Sequence, residues 1–137
     1  MGVRAVITLL CGVGLYASLF MLAKARRAAR GELEEPSVVQ TARARLFGGL
    51  PNALIGAIYY LAMGLGVWWA RGPLEVALLA AALLAAGTSL ALAYSLLFVT
   101  RRACPYCWTG HLVNWTLLAL CLWIFLPDVL SMGMRFW

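Results

Sequence analysis

Four stretches of the chain, 5–23, 46–70, 76–100 and 103–127, contain no Asp, Glu, Lys or Arg. Each reaches the ~20 residues a helix needs to cross ~30 Å of hydrocarbon. Backbone polar groups in lipid must be satisfied within their own segment, so each stretch is expected to be a helix, and the period-two alternation of barrel strands is missing. Composition agrees: 64% of the 137 residues are hydrophobic and 12% charged. A soluble domain this short cannot hide so much apolar surface. The expected fold is therefore an all-α membrane protein, a four-transmembrane-helix bundle forming a single domain over 1–137. Its helices are expected near 3–23, 50–70, 74–100 and 104–126.

The first span has a basic residue, Arg4, ahead of it, as a signal peptide would. Its apolar run is longer than a typical signal core and is followed by a basic cluster instead of a cleavage site, so it reads as a retained anchor. The net charge of +6 does not point to nucleic acid. Lys24, Arg26, Arg27, Arg30, Arg43 and Arg45 flank membrane spans, where cations meet anionic headgroups.

Residues 24–49 form the one sizeable connection. Glu32, Glu34 and Glu35 lie in a turn-prone stretch ending at Pro36, after which Ser37 can cap a short helix. Val38, Val39, Ala42 and Leu46 share one face of that segment, with Gln40, Arg43 and Arg45 on the other. It reads as a short amphipathic helix in the first loop, lying on the membrane surface or on the bundle. The second span carries Gly56 and Gly64, small residues that let helices pack closely, and ends in Trp68 and Trp69 as an interfacial belt. In the third span, Gly87, Thr88 and Ser89 read as packing residues.

The chemistry lies where the fourth span begins. Cys104 and Cys107 enclose Pro105 and Tyr106. Proline favours the first helical position, which makes Cys104 the N-cap and places both sulfurs in the first turn. Unpaired N–H groups and the positive end of the dipole stabilise a thiolate there, and Arg101 and Arg102 add positive potential. A Cys-x-x-Cys so placed exchanges disulfides readily. Cys107, His111 and Asn114 follow at i, i+4 and i+7 on one helical face, and His111 is the chain's single histidine. Taken alone, a buried histidine is as readily a satisfied core residue; polar groups inside a membrane nevertheless tend to face a site. Asn52, just after Pro51, starts the second span, and alternation of four helices puts that start at the same end of the bundle as the dithiol.

These features resemble the vitamin K epoxide reductase family across most of the chain. The resemblance rests on the four-helix order, the long first loop, the run Pro51-Asn52-Ala53-Leu54-Ile55-Gly56 and Cys104-Pro105-Tyr106-Cys107. Trp108-Thr109-Gly110-His111-Leu112-Val113-Asn114 extends it. The resemblance implies a quinone, menaquinone or ubiquinone, held in a four-helix bundle under the first loop. It also implies that Cys107 faces the quinone ring, that Cys104 exchanges disulfides and that Asn52 hydrogen-bonds a quinone carbonyl. His111 falls where animal members have a tyrosine that does the same, and a neutral imidazole N–H can serve as that donor. Asn114 extends the quinone-facing stripe. One departure is plain: family members relay electrons through a second cysteine pair in the first loop, whereas the remaining cysteines here are Cys11 and Cys121, within spans. Pro36 stands in the place of the second loop cysteine. Cys121 lies fourteen residues, roughly 21 Å, down the helix from Cys107.

The expected function is quinone-linked thiol–disulfide oxidation in the cell membrane, passing electrons from a partner dithiol through Cys104–Cys107 to a quinone. The partner would be a thioredoxin-like or other extracytoplasmic thiol protein, alongside membrane lipid and the quinone itself. The alternative is a non-catalytic quinone-binding or structural subunit that kept the fold but lost the loop relay. Metal capture by Cys104, Cys107 and His111 has suitable ligand types but lacks a fourth ligand. The two routes to orientation conflict. Positive charge is concentrated at the dithiol end, which would place that end in the cytoplasm; the family resemblance places it outside, where disulfides persist. The extracytoplasmic side is the expectation adopted.

Overall fold

The computed structural model describes residues 2–32, 39, 45–46, 49–101 and 104–134, the side chains of 46 and 132–134 excepted. Among the described residues, four helices are long and apolar enough to cross a membrane. Helix α1 spans Gly2–Ala29, α2 Asn52–Trp69, α3 Pro73–Tyr94 and α4 Pro105–Met134. This is the four-helix membrane fold expected from the charge-free stretches.

Two helix ends depart from expectation, and a third helix changes type within its expected span. Helix α1 runs past its apolar stretch to Ala29, because Arg and Lys are good helix formers and Arg26 and Arg27 suit the negative end of the dipole. Gly31 stops it in the left-handed conformation (φ 73°), and Glu32 folds back to pair with Arg30 at 2.7 Å. Helix α4, expected to end near 126, continues through Pro127. Local adjustments and neighbouring groups make proline tolerable in a membrane helix. Helix α3 passes into a π-helical turn, Ser95–Thr100, and Arg101 then takes a left-handed conformation (φ 48°) that redirects the chain toward α4.

Most of the amphipathic segment expected in the first loop lies outside the described residues. At its far end Arg45–Leu46 (β1) does not continue a helix. It pairs antiparallel with Leu50–Pro51 (β2), with Arg45 opposite Pro51 and Leu46 opposite Leu50. Gly49, in the left-handed region (φ 98°), lets the chain double back directly onto the start of α2.

Helix α1 packs against α2 and α4, and α3 packs on α4. Helices α2 and α3 are joined by a tight turn at Gly72 (φ 55°), and they touch near it, with Leu78 against Gly66. This end of the bundle is sealed. Ile7 and Cys11 of α1, Met63 and Val67 of α2, Ala82 of α3, and Leu117, Cys121 and Phe125 of α4 belong to one buried cluster. The Trp68 indole donates to Thr8 Oγ1 at 3.0 Å, joining α2 to α1 beside that cluster.

The α1–α2 seam depends on small residues. A side chain at Gly64 would crowd Cys11, and one at Gly56 would meet Ser18 Oγ at 2.9 Å. Cys11 is thus a small apolar filler of this seam. Gly14 lies against the ring of Tyr60, whose hydroxyl donates to the Gly110 carbonyl at 3.2 Å. Tyr60 therefore ties α1, α2 and α4 together one residue before His111.

Candidate redox site

Toward the other end of the bundle the helices leave a cavity of about 950 Å³. That is at the upper end of the range for small-molecule sites, ~300–1,000 Å³. All four helices and the first loop contribute to its wall, the loop through Val39 and Arg45.

Cys104 and Cys107 form a disulfide at the cavity's edge. The local sequence explains its placement. Pro105 is the first residue of α4, the Cys104 carbonyl accepts from Trp108 N–H at 3.1 Å, and Cys107 N–H donates to Cys104 Sγ at 3.3 Å. Cys104 is therefore the N-cap in carbonyl and side chain alike. Capping has a consequence that the spacing alone did not show. Drawing Cys104 Sγ back over the first turn leaves the residue only 7% exposed, not at an open helix tip. Cys107, one turn on, lines the cavity. Tyr106 also lines the cavity and stacks on Phe20 of α1, centroids 3.9 Å apart, which fixes the Cys-x-x-Cys turn against the first helix.

Below the disulfide, His111 and Asn114 lie on the cavity wall, and Asn52, the first residue of α2, faces the same space. The four cavity-facing positions that the sequence singled out on α2 and α4 thus surround one volume. His111 is buried, with the Trp108 ring edge-on at 6.0 Å and the Trp115 ring stacked at 6.3 Å. Trp115 is itself held by an indole hydrogen bond to the Ala86 carbonyl at 3.4 Å. Asn114 Nδ2 donates to Ser89 Oγ of α3 at 2.7 Å.

His111 Nε2, Asn114 Oδ1 and Tyr59 Oη, buried polar atoms of cavity-lining residues, have no hydrogen-bond partner among the described residues. Burying such groups unpaired is costly, and more so in a membrane. Tyr59 Oη and His111 Nε2 can each donate to a carbonyl oxygen on a flat, otherwise apolar body, so these two residues fit a quinone headgroup, whereas Asn114 Oδ1 can only accept.

Tyr59, Tyr60, Tyr106 and Ser89 were not singled out in the sequence as site residues. Ser89 carried a usable signal, being a hydroxyl in the middle of an Ala- and Leu-rich span. The tyrosines gave none, because aromatic residues in a membrane helix are ordinary core material.

A membrane-embedded four-helix bundle with a dithiol at a helix N-terminus, open to an apolar cavity with unpaired polar atoms, is a redox protein of the thiol–disulfide class. The vitamin K epoxide reductase family model matches residues 5–122, and the chain belongs to that family. Its oxidoreductase class and multi-pass membrane location follow from that membership and from the four spans. No curated protein matches the chain.

Proposed function

We propose that the protein oxidises a partner dithiol and delivers the electrons to a membrane quinone, menaquinone or ubiquinone. The observation that supports this best is the placement of the Cys104–Cys107 disulfide beside the cavity where His111, Asn114 and Tyr59 hold unpaired polar atoms.

The thiol half of the reaction is exchange. A partner thiolate attacks one sulfur of the pair, the partner's second thiol resolves the mixed disulfide, and Cys104 and Cys107 are left as a dithiol. The backbone N–H that donates to Cys104 Sγ, and the α4 N-terminus behind it, stabilise the thiolate formed there. Returning the pair to a disulfide releases two electrons and two protons, for which a bound quinone supplies the acceptor, leaving as hydroquinone. Asn52 and His111 would hold the headgroup at the level of Cys107. The two indoles around His111 fix its ring and exclude water.

No cysteine lies between Cys11 and Cys104, so the reductant reaches the pair directly and not through a loop relay. The loop covers the site through Val39 instead. The proposed side is extracytoplasmic, with a thioredoxin-like or other thiol protein as donor.

The test uses purified full-length protein with dithiothreitol as sole donor and a short-tailed naphthoquinone or benzoquinone as acceptor. Hydroquinone should form catalytically, and protein that has been reduced and freed of donor should regain the disulfide when quinone is added. A thiol count that quinone leaves unchanged, in folded protein, would instead assign the chain to the non-catalytic alternative.

A further inference from the structure

The end of the bundle that holds the disulfide is strongly basic. Among the described residues it carries Lys24, Arg26, Arg27 and Arg30 at the end of α1, Arg45 on β1, and Arg101 shortly before Cys104. Glu32 is the carboxylate described there, and it pairs with Arg30 and Arg27. Arg26, Arg45 and Arg101 are exposed and have no ion-pair partner among the described residues. The opposite end is balanced, with Arg4 and Arg71 set against Glu75 and Asp128.

Anionic headgroups satisfy cations that point outward from a bundle. Two of these arginines are placed differently. Helix α1 carries Arg26 past its apolar stretch, β1 brings Arg45 to the same end, and both line the cavity that Tyr106 and Cys107 also line. Positive charge from two separate elements thus stands around the approach to the disulfide, and Arg101 adds to it from the α3–α4 connection. A thiol partner must come close to this region to reach either sulfur. A basic partner would be repelled, whereas an acidic face would be drawn in and oriented, because summed surface charge acts chiefly on encounter.

We propose that this basic rim is the docking surface for the reducing partner, and that the partner carries acidic side chains around its reactive dithiol. The inference rests on the thiol half of the reading above and names that substrate by its charge. The partner's dithiol leaves as a disulfide while Cys104–Cys107 is reduced, as in the exchange already described. The cations at the dithiol end then have a role that does not require that end to face the cytoplasm.

The experiment follows opening of the Cys104–Cys107 bond in full-length protein, in an uncharged detergent and without quinone, by mass spectrometry of iodoacetamide-quenched samples. Two synthetic peptides share a Cys-Gly-Pro-Cys centre, flanked in one by glutamates and in the other by lysines. Glutamates raise a neighbouring thiol's pKa and lysines lower it, so each rate is divided by that peptide's rate with hydroxyethyl disulfide, which is uncharged. At low ionic strength the normalised rate of the acidic peptide should exceed that of the basic one by about tenfold or more, and at about 1 M salt the two should converge. Arg26→Gln with Arg45→Gln should remove most of the preference, and Arg26→Glu with Arg45→Glu should reverse it. Equal normalised rates at low salt, or a preference that both double variants leave intact, would overturn the inference. Double variants that lose only their affinity for vesicles containing phosphatidylglycerol would overturn it too, and would assign the arginines to lipid headgroups. If neither the peptides nor dithiothreitol open the bond, the thiol-exchange reading falls with it.

Discussion

Replacing Cys107 with serine is expected to reduce quinone turnover to the uncatalysed background, while Cys104, offered the partner in its oxidised disulfide form, captures it as a mixed disulfide. Cys107 is the member of the pair on the cavity wall, so it is the sulfur through which the dithiol meets the quinone. Cys104 has the cap position, where a backbone N–H and the helix N-terminus stabilise its thiolate. In that reverse exchange the Cys104 thiolate attacks the partner's disulfide, joins one sulfur and releases the other as a thiolate; Cys107 would then attack Cys104 Sγ and free the partner as a dithiol, so removing Cys107 stalls the adduct. Cys104→Ser should also end turnover but trap nothing. Because Cys104 is nearly buried, the partner must displace chain around the start of α4 to reach it. Mass spectrometry of the trapped species after incubation with an oxidised thioredoxin-like protein reads the result. An adduct on Cys107 in Cys104→Ser protein, with none on Cys104 in the reciprocal variant, would reverse the assignment.

The second large effect is expected far from the sulfur chemistry. A methyl group at Gly14 would stand 2.5 Å from the Tyr60 ring, closer than non-bonded carbon atoms approach. Tyr60 is 3% exposed, and moving it breaks the bond to the Gly110 carbonyl. Gly14→Ala should therefore destabilise the bundle by about 1–3 kcal/mol, the usual cost of overpacking, and Gly14→Leu should prevent α1 from seating. Thermal unfolding in detergent, followed by near-ultraviolet dichroism, measures it. Trimming the ring with Tyr60→Val in the Gly14→Ala protein should recover part of the loss, making the pair non-additive. A Gly14→Ala protein as stable as the parent would show that the seam can open at no cost.

Charge-free length made the spans legible, since lipid leaves an apolar chain few structural options. The dithiol turn was legible because Cys-Pro-Tyr-Cys combines a proline rule with thiol chemistry. Asn52, His111 and Asn114 could be placed near it from helical spacing and simple alternation. What could not be read was set by contacts between helices. Ser89 meets Asn114 across the α3–α4 interface, and the Phe20–Tyr106 stack joins residues far apart in the chain. The β1–β2 pair stands where a helix end was expected, with Gly49 in the left-handed region (φ 98°) ahead of Leu50, a choice that periodicity does not register.

The sealed end of the bundle has a practical use. Cys11 and Cys121 are 3% and 0% exposed, packed among Met63, Val67 and Leu117, and neither joins the disulfide. They act as silent spectators: an alkylating reagent applied to the folded protein meets neither of them, and it meets Cys104 and Cys107 only when that pair is open. Thiol titration of the unmodified chain thus reads the redox state of one bond, with no cysteine-free background to engineer, and the same count repeated after solubilising the chain in denaturant reports whether the spectators remained covered.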